Sequence, residues 1–114
     1  MSVATEQRLL KLASVLRSEL ANIISKEVEL PANCLMTISQ LEVLSDYSEV
    51  RIGLSVLPFD KSEVVLAIVT EQRHDIQQII NKRLRLYRIP KLVFYIDSAP
   101  EKAAGITKIL DSLN

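Results

Sequence analysis

Cysteine occurs once, at Cys34, so the chain can form no internal disulfide and no cysteine-based metal cluster. Cys34 is expected to be a small apolar filler in a reducing compartment. Histidine also occurs once, at His74. General acid–base work needs a partner of defined geometry, and Asp75 beside it in sequence does not bring the two side chains together, so His74 reads as a surface or capping residue. The two glycines, Gly53 and Gly105, are isolated and cannot make a loop that cradles phosphate. The 14 carboxylates show no metal-ligand spacing. Asp97 follows a strand, where a turn or helix-start role accounts for it. Together these absences argue against a small hydrolase or other enzyme, and no cofactor is expected.

The longest apolar run, Val64 to Val69, is six residues, far short of the ~20 needed to span a membrane. Met1 to Glu6 lack the basic-then-apolar layout of a signal peptide. A soluble cytoplasmic protein is the expectation. Aromatic residues make up only 4% against 48% hydrophobic residues, so the core must come from Leu, Ile and Val. With 114 residues, one domain spanning 1–114 is expected.

Residues 5–27 carry Leu9, Leu12, Ala13, Leu16, Leu20, Ile23 and Ile24 at steps of three and four, the stripe of an amphipathic helix. Pro31 bars its continuation. Residues 36–44 and 50–57 read as strands, the second with Val50, Ile52, Leu54 and Val56 on one face, and Ser45 to Ser48 has turn chemistry. Asp60 followed by Glu63 fits a capped helix start. The valine-rich stretch 64–69 fits a strand taken locally and is assigned as a buried helix. Asp75 is a second possible helix start. Ile76, Ile79, Ile80, Leu84 and Tyr87 then form an apolar arc, with Gln78, Asn81, Lys82 and Arg85 opposite. Whether 61–88 is one helix or two is left open. Pro90 stops the helix, and Leu92 to Ile96 form a third strand. Ser98 and Glu101 have capping-box spacing ahead of a final helix on Ala103, Ile106, Ile109, Leu110 and Leu113. The order α-β-β-α-α-β-α, with a three-stranded sheet, implies an α+β two-layer sandwich.

Formal net charge is zero, but its distribution is uneven. From Ile76 to Ile96 there is no acid, while Lys82, Arg83, Arg85, Arg88 and Lys91 all lie there. Cations that displace condensed counterions from phosphates gain affinity without reading sequence, and arginine also stacks on exposed bases. Asn81 and Gln78 can add hydrogen bonds. Cations also favour the last turn of any helix through the macrodipole, and Arg83 falls inside the apolar arc, where a structural role suits it.

Three stretches resemble ribosome-binding factor A. Val15 to Val28 is similar to that family's first helix, with its Arg-x-Glu-Leu-Ala at Arg17 to Ala21. Leu41 to Leu57 resembles its hairpin, where a Val-Glu-Val strand leads into a Ser/Pro-Asp-Leu turn. Leu84 to Ser98 resembles its Leu-Arg-x-Arg-x-x-Pro-x-Leu-x-Phe run ending in Asp. The resemblance implies a KH-like fold of the second type. It also implies binding to ribosomal RNA of the small ribosomal subunit late in maturation, most needed in the cold. A monomer with no membrane or small-molecule partner is expected. Arg73, Asn81, Lys82, Arg85, Arg88 and Lys91 are the candidate RNA contacts, with the hairpin and first helix as scaffold. Two features depart from the family pattern. The Ala-x-Gly kink is replaced by Gln72-Arg73-His74, and Tyr87 stands where arginine is usual. The neutral charge keeps a second reading in play, a KH-like protein-interaction module that has lost RNA binding.

Overall fold

The structure is a computed structural model and describes residues 3–85 and 89–99. The elements are α1 (Val3–Glu27), β1 (Leu35–Val43), β2 (Glu49–Leu57), a 3-10 turn (Phe59–Lys61), α2 (Ser62–Glu71), α3 (Arg73–Leu84) and β3 (Lys91–Ile96). The expected final helix lies outside the described residues beyond Ala99.

The sheet is mixed, in the order β1-β2-β3. β2 pairs antiparallel with β1 and parallel with β3. Val50, Ile52, Leu54 and Val56 are fully buried, as the alternation predicts. They face the helices together with Leu92, while Arg51 and Leu57 lie on the uncovered face. α1 lies along β1 and against α3 and buries Leu9, Leu16, Leu20, Ile23 and Ile24. α2 packs on β2 and β3. Cys34 is half-buried against the core, as its composition suggests.

The stretch 64–69 is helical. Val65 and Val69, four apart, are fully buried, while Val64 is exposed. This is one stripe of a helix, and its packing outweighs the β preference of valine. The capping expected of Asp60 does not occur. Asp60 lies within the 3-10 turn, and α2 starts at Ser62, whose Oγ donates to the Phe59 carbonyl at 2.7 Å. Nor does Asp75 start a helix. The break falls at Gln72, with φ −92 and ψ 5, and α3 begins at Arg73. The Gln72 N–H is shared between the Ile68 and Val69 carbonyls at 3.2 and 3.1 Å, and its own carbonyl accepts from Ile76 at 3.0 Å. That backbone conformation is open to any L-residue, so the two helices part without glycine.

Alternation in β1 is interrupted by a bulge between Ile38 and Gln40. Ser39 there donates its hydroxyl proton to Asp97 Oδ2 at 2.8 Å, and its carbonyl accepts from Arg17 Nη2 at 2.9 Å. In the turn after β3, Asp97 Oδ1 accepts from the Ala99 N–H at 3.0 Å. The capping box with Glu101 falls partly outside the described residues.

Ile80 is fully buried and Leu10 is 70% exposed on α1. Ile80→Ala is expected to lower unfolding free energy by about 2–5 kcal/mol in urea titration, while Leu10→Ala shifts it by less than about 0.5 kcal/mol. Equal effects would contradict this placement of the core.

Candidate nucleic-acid interface

α3 presents two faces. Ile76 and Ile80 are buried, with Ile79 and Leu84 packed beside them. Arg73, Gln77 and Asn81, at steps of four, run along the flank that meets the start of β3. Gln77 makes that junction. Its Oε1 accepts from the Leu92 N–H at 2.9 Å, and its Nε2 donates to the Pro90 carbonyl at 3.2 Å and to Asn81 Oδ1 at 3.1 Å. A side chain on α3 thus takes the place of a neighbouring strand for the first residues of β3. The sequence reading named Gln78 and passed over Gln77. Gln78 is exposed, and only the fold brings Pro90 and Leu92 within reach of position 77.

The β1–β2 turn closes the other side. Asp46 Oδ1 accepts from the Ser48 N–H at 3.0 Å and from Ser48 Oγ at 2.6 Å. The Tyr47 N–H bonds the Leu44 carbonyl at 2.9 Å. The Lys91 N–H donates to the Ser48 carbonyl at 3.2 Å, which ties the turn to β3. Between turn and helix lies a hollow of about 340 Å³, lined by Tyr47, Ser48, Arg73, Gln77, Asn81, Ile89, Pro90 and Lys91. It contains two cations and no carboxylate. The hairpin, expected as scaffold, therefore supplies one wall, and Tyr47 and Ser48 are residues the sequence reading missed.

Of the expected contacts, Arg73, Asn81 and Lys91 meet at this hollow. Lys82 is exposed but turned about 100° from Asn81 by the helical step. Arg85 is exposed as well, and it does not continue the helix as the opposite-face assignment expected. It follows Leu84 with φ 49 and ψ 30, the left-handed conformation that ends many helices. Arg88 lies outside the described residues. Arg83 is structural, its Nη1 3.0 Å from Glu19 Oε2 on α1. The side chains of Arg73, Lys82, Arg85 and Lys91 have no ion-pair partner among the described residues. His74 is exposed. Among the described residues no group of His, Cys, Asp or Glu is placed to hold a metal ion, and no helix is long and apolar enough to cross a membrane.

The chain matches the ribosome-binding factor A family over residues 8–110. It belongs to that family. It is 28% identical over 107 residues to ribosome-binding factor A of Ralstonia pickettii, covering 94% of this chain and 86% of the relative. The Neisseria gonorrhoeae protein is 27% identical over 95 residues, covering 83% and 77%. The crystal structure of ribosome-binding factor A from Thermus thermophilus superposes with a TM-score of 0.68 at 22% identity, over 80% of this chain and 97% of that one. A Thermus thermophilus ribosome-binding factor A homology model, fitted into the electron cryo-microscopy map of a 30S complex, gives 0.67 at 24% identity, over 77% and 93%. The fold is KH-like, as the family resemblance implies.

Two outcomes follow for the walls of the hollow. Gln77→Ala leaves the Leu92 N–H without its acceptor and is expected to cost about 1–3 kcal/mol in urea unfolding. Exchange of the Leu92 amide should quicken, while Gln78→Ala stays within about 0.5 kcal/mol of the parent. Unchanged Leu92 exchange would refute the bridge. In the turn, the hydrogen bonds from the Ser48 hydroxyl and backbone hold the Asp46 carboxyl below the usual aspartate range. A depressed folded pKa contributes stability above the unfolded pKa and loses it as pH falls through the folded value. The Asp46 carboxyl carbon, followed by NMR, should therefore titrate at lower pH than an unstructured aspartate, and Ser48→Ala should raise its midpoint.

Proposed function

We propose that this chain is a non-enzymatic assembly factor that binds ribosomal RNA of the small subunit during late maturation of that subunit. The observation that carries the reading is the cationic surface of α3 and the start of β3, which has no acid from Ile76 to Ile96. There Arg73, Lys82, Arg85 and Lys91 are unpaired among the described residues, with Asn81 between them. Cations already paired with carboxylates gain little from phosphate, whereas unpaired ones release counterions when phosphate arrives. Family membership supports the same partner, since the Thermus thermophilus relative is placed in a complex with 30S. Arg88, between Arg85 and Lys91 in sequence, extends the proposed contacts.

Co-sedimentation with small subunits, large subunits and bare RNA across a salt series tests the reading. The expected result is selective small-subunit binding that weakens with salt. Arg73→Glu with Lys91→Glu should abolish it near physiological salt. Neutral substitutions there should flatten the salt dependence by about 0.7 in logarithmic slope per lost phosphate contact on single strands. No small-subunit binding at low salt would overturn the reading and favour a KH-like protein-interaction module, the function that the zero net charge supports.

A further inference from the structure

We propose that the hollow between the β1–β2 turn and the α3–β3 junction holds one unpaired ribonucleotide and accepts the ribose 2′-hydroxyl at Ser48. The inference rests on the RNA-binding reading and adds to it a subsite and a ligand class.

The lining of the hollow is rich in donors and has one side-chain acceptor set apart from them. Arg73 and Lys91 offer only donors. Asn81 has its carbonyl oxygen engaged by Gln77 Nε2 at 3.1 Å, so the network assigns its free end as the amide nitrogen, again a donor. Three converging donors suit phosphate oxygens. Ser48 is the exception on the opposite wall. Its single hydroxyl proton goes to Asp46 Oδ1 at 2.6 Å, and its N–H is held by the same oxygen at 3.0 Å. Only lone pairs remain on Ser48 Oγ, so it accepts. The same bonds keep Asp46 ionised, which holds the hydroxyl in that role at neutral pH. An acceptor facing three donors does not match a bare oxyanion. It matches a ligand with phosphate oxygens at one end and a hydroxyl donor at the other, and the 2′-hydroxyl is the group that separates RNA from DNA at a single site.

Tyr47 supplies the apolar surface such a ligand needs. It packs against the core and also lines the hollow. Its φ is 59, a left-handed conformation that glycine or asparagine adopts more cheaply. A turn built for geometry alone would favour those residues. A tyrosine there gives the hollow that Arg73 and Lys91 also line an aromatic side chain on which a base can stack. The volume of about 340 Å³ is at the lower end of small-ligand sites and has room for one nucleotide.

The test is fluorescence anisotropy with a six-nucleotide oligouridylate and its deoxyuridylate counterpart, which differ only in the 2′-hydroxyl. The parent protein should bind the RNA about fivefold more tightly, the worth of one hydrogen bond. Ser48→Ala should erase that preference, and Ser48→Thr should restore it. Tyr47→Leu, which retains an apolar side chain for the core, should weaken both oligonucleotides by about fivefold or more. Equal affinity of the parent for the two, or a preference that survives Ser48→Ala, overturns the subsite. Co-sedimentation separates the two levels. Small-subunit binding without RNA preference removes the subsite and leaves the assembly-factor reading intact, whereas loss of both small-subunit and oligonucleotide binding removes both.

Discussion

Burial of β2 is the constraint on which the other elements depend. Its inward residues Val50, Ile52, Leu54 and Val56 have no exposed surface, and both of its edges are paired. One edge is satisfied by a short turn to β1. The other requires a parallel partner, and a parallel partner requires the chain to travel back the length of the sheet before β3 can begin. α2 and α3 are that return path. They also cover the sheet, so connection and core are one requirement. Breaking the path at Gln72 lets α2 lie against β2 and β3 while α3 turns to meet α1.

The proposed RNA surface follows from how that return path ends. α3 stops at Leu84, and the chain must descend to Lys91 to enter the sheet. Gln77 fastens the arrival by bonding Pro90 and Leu92, and Lys91 fastens the hairpin turn through Ser48. Helix flank, strand start and turn tip are therefore joined by hydrogen bonds to backbone groups. Among the side chains that line the hollow, Gln77 makes the closing bonds and Ser48 is held by Asp46. Arg73 and Lys91 are not needed to close the framework, and Asn81 gives its oxygen to Gln77 and keeps its nitrogen.

The elements were legible from periodicity because each buries a single stripe or a single alternating face. β2 and the arc of α3 are the clearest cases, since Ile76 and Ile80 recur at helical spacing and are fully buried. What escaped was the conformation of single residues and contacts between distant ones. Gln72 occupies a backbone region that leaves no compositional trace. Arg85 adopts a left-handed conformation at a position where glycine would have announced it. The bulge at Ser39 interrupts an alternation that looks regular in sequence. Asp60 and Asp75 have the right side chains for capping, yet the helices start at Ser62 and Arg73, where the 3-10 turn and the break at Gln72 set the entry. At the site, the acid-free window pointed to Lys82, Arg85 and Lys91 because they cluster in sequence. That Tyr47 and Ser48 line the hollow follows from the parallel pairing of β2 with β3 and could not be seen before that pairing was known.

Zero net charge is compatible with an RNA partner because charge acts locally. In physiological salt, exposed charges separated by more than roughly 8 Å are largely screened. The acids that balance the chain neutralise RNA-facing cations only where they lie close to them. The structure sorts its arginines accordingly. Arg83 is held by Glu19 at 3.0 Å and Arg51 lies 3.8 Å from Glu49, so both are answered within the protein. Arg73 and Lys91 stand at a hollow whose lining contains no carboxylate. The potential that a phosphate meets there is set by those two groups and the amide of Asn81, set against Asp46, 2.6 Å from Ser48 Oγ, and Glu49, the cross-strand neighbour of Lys91, while distant carboxylates on α1 lower it little. A basic isoelectric point is thus one route to nucleic-acid affinity. Placing Arg73 and Lys91 together at a hollow whose lining holds no carboxylate is a second.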